Sequence, residues 1–314
     1  MTIDKKLINQ IIKVSSKAAY ASFLLVGKND KIAADKAAVD AMRTELNSLD
    51  INGKVVIGEG ELDEAPMLYI GESLGTKNGP DIDIAVDPVE GTNFAAKNLP
   101  GALSVISIAE KGNLFHAPET YMNKIAAKVN DKNIIDLDFD IKTNLNNLSQ
   151  YKNKNLEDLT VCILDRPRHK KIIDEIHDLG AKTKLITDGD VAGALLITDS
   201  KFKVDLFLGI GGGPEGVLAA SALDAYGCYF QGRLIFDDDN DKKRATAMGI
   251  EDHDKKYSLN EIVSGDSIFC ATGITSGDLV NGISIKNKKF ESQSLVTHKN
   301  SNTKEIISKV FDIE

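Results

Sequence analysis

Asp87 and Glu90, three residues apart at the end of an apolar run, are the side chains best suited to chemistry in this 314-residue chain. They lie in Asp81–Ala96, DIDIAVDPVEGTNFAA, where Ile82, Ile84, Ala85 and Val86 have the pattern of a buried strand. Pro88 should stop that strand, because proline gives no donor to a ladder and biases Asp87 toward extended backbone. Gly91, Thr92 and Asn93 then read as a helix start, whose first backbone N–H groups favour an anion. Two carboxylates beside an anion-binding helix end repel each other and any phosphate. Divalent cations between them would remove the conflict. An N-capping aspartate and a first-turn glutamate would use the same residues, so the stretch alone leaves both readings open.

The elements around it place further polar groups at similar positions. Residues 4–26 read as an amphipathic helix ended by Gly27, and Asp30 as the N-cap of a second helix carrying Ala33, Ala37, Val39 and Met42. Lys31 and Asp35 share a face of that helix, the spacing of an ordinary ion pair or of something more. Val55–Ile57 is a short strand running into GEGELDEAP. Glu59, between Gly58 and Gly60, stands at its end as Asp87 does in its own strand; Glu61, Asp63 and Glu64 follow, and Pro66 suits the first turn of a next helix. LSVISIAEKGNLFHAP reads as a hairpin turning at Lys111–Gly112, and Tyr121 as a half-buried packing residue.

Residues 142–155, rich in Asn and Lys, suggest a boundary between domains 1–155 and 156–314. The second half alternates strand and helix: LTVCIL, KKIIDEIHDLG, TKLIT, VAGALLIT, DLFLGI and VLAASALDAYG. Such order predicts a mainly parallel sheet with ligands at the strands' carboxyl ends, where Arg166, Arg168, Asp188, Asp190 and Glu215 fall. DDDNDKKR, residues 237–244, reads as a solvated loop or helix start and lacks the spacing of a calcium loop. The C-terminal segments SIFCATG, ESQSLVTH and KEIISKVF are short strands expected to pack back on the sheets, the last fifty or so residues on the first domain.

A net charge of −9 argues against nucleic acid and against an anionic membrane surface as partners. Cys162, Cys228 and Cys270 are odd in number and far apart, which speaks against a disulfide framework or a zinc site and suits a reducing compartment. No apolar run is long enough to be a leader or span, so a cytoplasmic location is expected. Gly211, Gly213 and Gly216 match GxGxxG and raise a dinucleotide-binding alternative. Pro214 removes an N–H from that turn, however, and Glu215 puts a carboxylate where pyrophosphate would lie.

Taken together, GKNDKIAADKAAVDAMR, VVIGEGELDEAPMLYIGE, DIAVDPVEGTN, DRPRH, DGDVAGAL, GIGGGPEGVLAA and ATGITSGDL closely resemble the class II (GlpX-type) fructose-1,6-bisphosphatases. DPVEGT is also a variant of the signature of the lithium-sensitive sugar and inositol phosphatases. The chain departs from the family pattern at Gly213, where alanine is common, and its tail matches least. The resemblance implies a layered α/β/α/β/α sugar-phosphatase fold and removal of the 1-phosphate of fructose 1,6-bisphosphate. It implies Asp35, Glu59, Asp87, Glu90 and Glu215 as ligands of two or more Mn²⁺ or Mg²⁺ ions. Glu90, Gly91, Thr92, Tyr121, Arg166, Pro167, Arg168, Asp188, Gly189, Asp190 and Gly212 would contact the sugar bisphosphate. Lys31, Asp63 and Thr92 match the catalytic centre, and a homo-oligomer, dimer or tetramer, is expected.

The chemistry of the residues agrees. An all-oxygen donor set without cysteine or clustered histidine favours Mg²⁺ or Mn²⁺, and close carboxylates ionise together only when cations share them. Thr92, aided by Asp63, would orient a water for in-line attack, Arg168 and Arg166 would fork onto the spectator 6-phosphate, and Asp188 and Asp190 would accept from sugar hydroxyls. Sedoheptulose 1,7-bisphosphate or an inositol phosphate as substrate, and a non-catalytic metal- or dinucleotide-binding protein, are the alternatives.

Overall fold

A computed structural model describes residues 3–58 and 67–313. Glu59, Glu61, Asp63, Glu64 and the helix expected at Pro66 lie outside the described residues. The chain divides into two compact units: residues 1–116 with 263–314, and residues 117–262. This division differs from the boundary expected at 155/156.

The first unit begins with α1 (Leu7–Phe23) and α2 (Lys31–Asn47). Asp30 caps α2 as expected, accepting from the Ala33 N–H at 2.9 Å. Strands β1 (Asn52–Ile57), β2 (Ser73–Leu74) and β3 (Asp81–Glu90) follow, then α3 (Thr92–Lys97) and β4 (Leu103–Glu110). The second unit holds β5 (Tyr121–Ala127), α4 (Ile141–Lys152), β6 (Thr160–Leu164), α5 (Lys170–Asp178), β7 (Lys182–Ile186) and α6 (Asp190–Leu195). It continues with β8 (Leu206–Gly212), α7 (Gly213–Tyr226), β9 (Tyr229–Ile235), α8 (Asp239–Ala247), β10 (Lys256–Ser258) and α9 (Leu259–Ile262). The chain then returns to the first unit as β11 (Ser267–Gly273), β12 (Ser284–Lys286), β13 (Lys289–His298) and β14 (Thr303–Asp312).

In the first unit the sheet runs β12-β13-β11-β4-β3-β1-β2, with β14 added on β13. Only β1 and β3 pair in parallel; the other pairs are antiparallel. The apolar face of α1, including Ile8, Ile11, Ile12 and Ala18, is buried with Ile84, Ile106, Cys270 and Phe290. α1 ends at Phe23 rather than Val26, because the Gly27 and Asn29 N–H groups turn to the carbonyls of Ala95 and Ala96 in α3. β3 does not stop at Pro88 but passes through it to Glu90. A register shift against β4 between Asp87 and Glu90 absorbs the proline at a position that needs no donor. The expected hairpin after Leu103 is absent: β4 pairs with β3 and β11, and Leu114 instead bridges Val263.

The second unit's sheet runs β10-β9-β5-β8-β6-β7. β8, β6 and β7 are parallel as predicted, but β5 is inserted antiparallel between β8 and β9, so the sheet is mixed. Residues 142–155, near whose end a domain boundary is expected, form most of α4. Leu145 and Leu148 are packed with Ile125, Val161, Ile176 and Leu206 in this unit's core, and Asp140 caps the helix at the Thr143 N–H. Asparagine is a weak helix former, and the Ile141, Leu145, Leu148 stripe outweighs it through packing.

Candidate active site

In the first unit, α2, which carries Asp35, packs on both β3 and α3. One carboxylate oxygen in each of Asp35, Asp87 and Glu90 is buried. β1 and β3 run side by side with Ile57 paired to Ala85, two residues before Asp87. α3 begins immediately after Glu90. Gly91, left-handed at φ +79°, turns the chain so that Thr92 opens the helix, and the Phe94 and Ala95 N–H groups donate back to the Gly91 carbonyl. The N–H groups ahead of Phe94 are those a helix leaves for another acceptor. Lys31, the first residue of α2, is exposed. Among the described residues, no three His, Cys, Asp or Glu side chains are gathered as one cation would need.

In the second unit, the three parallel strands end at one edge of the sheet. Leu164 leads into Arg166, Pro167 and Arg168; Ile186 leads into Asp188, Gly189 and Asp190; β8 ends on Gly212, with Glu215 in the first turn of α7. Because β5 runs the opposite way, it begins at that edge, and Tyr121 is the register partner of Gly212. Tyr121 is more open than a half-buried packing residue, and the Arg168 guanidinium lies over its ring, 4.9 Å from the centroid. Arg168 Nε and Nη2 both donate to the Ile210 carbonyl, at 3.1 and 2.8 Å. That holds the guanidinium in a fixed plane.

His169, which sequence reasoning quoted within DRPRH and gave no role, locks this corner. It is fully buried; its Nδ1 meets the Leu164 carbonyl at 2.7 Å and its Nε2 accepts the Ile210 N–H at 2.8 Å. Ile210 is therefore held through its N–H by His169 and through its carbonyl by Arg168. Burial pushes the imidazole pKa down, with Arg168 and Arg166 adding to the effect and the Leu164 carbonyl and Asp190 opposing it. The folded protein thus keeps the ring neutral where the unfolded chain, near pH 6.5, takes up a proton. Stability should fall as pH drops below about 6.5. His169→Gln should flatten that slope in thermal melts between pH 7.5 and 5; an unchanged slope would remove the histidine from the account.

Asp190 opens α6 after Gly189, which is left-handed at φ +82°. Its carboxylate is bonded to Lys124 Nζ, which also donates to the Gly212 carbonyl at 2.7 Å. Lys124 was missed by sequence reasoning, although a lone charge inside the apolar run of YMNKIAA was a signal. Gly211 and Gly212 are glycine for want of room. A side chain on Gly211 would meet the Asp190 carboxylate, and one on Gly212 would meet that of Glu215. Burial holds the Glu215 carboxyl above the usual range; the Lys124 charge opposes this, while Asp190 and Asp188 add to it. The space in the GxGxxG turn is thus filled by the protein's own carboxylate, which weighs against a dinucleotide pyrophosphate there.

A sequence profile for bacterial, glpX-encoded fructose-1,6-bisphosphatase matches residues 5–311. The chain belongs to that family. Relatives named D-fructose 1,6-bisphosphatase class 2/sedoheptulose 1,7-bisphosphatase are similar along nearly its whole length. The protein from Trichodesmium erythraeum is 42% identical over 98% of this chain and 96% of its own. That from Synechococcus sp. (strain JA-3-3Ab) is 41% identical over 96% and 94%. Among solved structures, CysQ from Bacteroides thetaiotaomicron, a bacterial member of the inositol monophosphatase family, is matched with a TM-score of 0.37 and 16% identity over 65% of this chain and 79% of that one. This fructose-1,6-bisphosphatase family member is a phosphoric monoester hydrolase of mixed α/β fold that depends on divalent metal. No helix among its described residues is long and apolar enough to cross a membrane.

Proposed function

We propose that this enzyme removes the 1-phosphate of fructose 1,6-bisphosphate, yielding fructose 6-phosphate and inorganic phosphate, with Mn²⁺ or Mg²⁺ as its cation. The observation that carries this reading is the edge of the second unit's sheet. It assembles two arginines, two aspartates and an aromatic ring from three separate strand ends of a chain in the bisphosphatase family. Asp35, Glu59, Asp87 and Glu90 would hold the cations, with Glu215 as a further ligand. Buried carboxylate oxygens with no thiolate or imidazole among them are the donors a hard divalent ion prefers. When bound, such ions polarise a phosphoryl group, lower the pKa of water and neutralise a leaving oxygen.

The protein's own groups do the rest. The Thr92 hydroxyl orients the attacking water with Asp63 as the helping acid, and Lys31 belongs to the same catalytic set. Backbone N–H groups at Gly91 and Thr92 hold phosphate oxygens at the start of α3. Arg168 reads the spectator 6-phosphate, with Arg166 beside it and Tyr121 supporting its face. Pro167, Gly189 and Gly212 shape the backbone of those loops, and Asp188 and Asp190 accept from sugar hydroxyls. The names of the relatives pair two substrates, so sedoheptulose 1,7-bisphosphate is the second reading. Three buried free thiols suit work in the cytoplasm. Assembly as a dimer or tetramer would use a surface other than the apolar face of α1, which the first unit's own core occupies.

Phosphate release from a panel of sugar phosphates tests this. Chelation should abolish release from fructose 1,6-bisphosphate, and Mn²⁺ or Mg²⁺ should restore it; full activity in chelator would refute the cation's role. Arg168→Ala should raise KM by about ten- to a hundredfold, the worth of a charged hydrogen bond, and change kcat little. An unaltered KM would remove Arg168 from the 6-phosphate subsite.

A further inference from the structure

Lys124 stands in the middle of β5 at 1% relative exposure, where an aliphatic residue would ordinarily pack. Its stem runs beside Gly216 of α7, whose missing side chain leaves the room. Its ammonium is spent on two groups at once, the Asp190 carboxylate and the Gly212 carbonyl. A charge so deep costs several kcal/mol in desolvation, and replacing a buried ion pair by apolar residues of similar size is often neutral or stabilising. Stability alone therefore gives little reason for this pair. The two groups it holds belong to different strand ends, the loop after β7 and the turn after β8, and no backbone ladder joins β7 to β8.

We infer that Lys124 is a positioning residue for the sugar-phosphate subsite, fixing the Asp190 carboxylate and the Gly212 carbonyl relative to each other so that both loops meet the substrate in one arrangement. One Asp190 oxygen is committed to Lys124, and the other accepts from a sugar hydroxyl. The inference rests on the reading that Asp190 and Gly212 contact the sugar phosphate.

The test combines calorimetric binding of fructose 6-phosphate with steady-state kinetics on fructose 1,6-bisphosphate, for the wild type, K124M, D190N and the K124M/D190N pair. K124M should weaken fructose 6-phosphate binding and raise KM at least tenfold, with kcat within threefold of wild type. Since Lys124 acts through Asp190, the double variant should bind no more weakly than D190N alone. Wild-type affinity and KM in K124M, with only a lowered Tm, would overturn the inference, as would losses that add in the double variant. Should K124M not fold, the double variant, which buries neither charge, is compared with D190N directly: equal affinity supports the inference and a further tenfold loss overturns it. A wild type that binds fructose 6-phosphate without releasing phosphate from the bisphosphate would refute the functional reading and leave the Lys124 comparison decisive. A wild type that binds no fructose 6-phosphate would refute both.

Discussion

Asp87→Asn should lower kcat for phosphate release by about a thousandfold or more while leaving the fold intact. Asparagine keeps the shape of the side chain at the bulge of β3 but lacks the full charge of a cation ligand. Phosphoryl transfer leans on fixed electrostatic stabilisation far more than on covalent help from the protein, so one lost ligand is felt in the transition state. A second readout separates this from a folding defect. Mn²⁺ at about a hundred times its Kd should stabilise the wild type by about 2.7 kcal/mol, a rise in Tm of about 4 °C for a chain of this size. That rise should collapse in Asp87→Asn. In chelator the variant should be no less stable than the wild type, because it removes one of several neighbouring negative charges. A kcat within twofold of wild type would refute Asp87 as a ligand.

Gly211→Ala should lower Tm by about 5 °C or more and impair binding of the sugar phosphate. The added methyl would occupy the place of the Asp190 carboxylate. Asp190 is 8% exposed and bonded to Lys124, so it cannot swing into water without stranding a buried ammonium. Separating a buried pair costs about 3–5 kcal/mol, and each kcal/mol is worth about 1.5 °C here. Gly180→Ala is the control: its methyl meets nothing within 4 Å, and only a left-handed φ of +84° resists it. That strain costs about 1–2 kcal/mol. A Gly211→Ala protein no less stable than Gly180→Ala would mean that Asp190 and Lys124 part cheaply, and the account of that corner would fail.

Much of the placement of the candidate residues was legible in the sequence because its signals are local. An apolar run followed by a Gly- or Pro-bearing loop marks a strand end, and this placed Arg166, Asp188 and Glu215 at three strand ends without knowledge of what lay between them. Asp30 announced α2 in the same way. Failures came where a local rule met a longer-range demand. Pro88 should end a strand, yet the register shift against β4 gave it a position that needs no N–H. The Asn-rich segment 142–155 suggested a domain boundary, yet Leu145 and Leu148 found a core to enter.

The sequence by itself determined which polar residues stand at which ends of which elements, since charge and turn-forming residues act over a few positions. Only the tertiary structure decided that β5 enters antiparallel beside β8, setting Tyr121 opposite Gly212 and burying Lys124 within the sheet. Strand pairing between distant segments is settled by which surfaces bury each other best, a sum over many weak contacts that no short stretch of sequence contains.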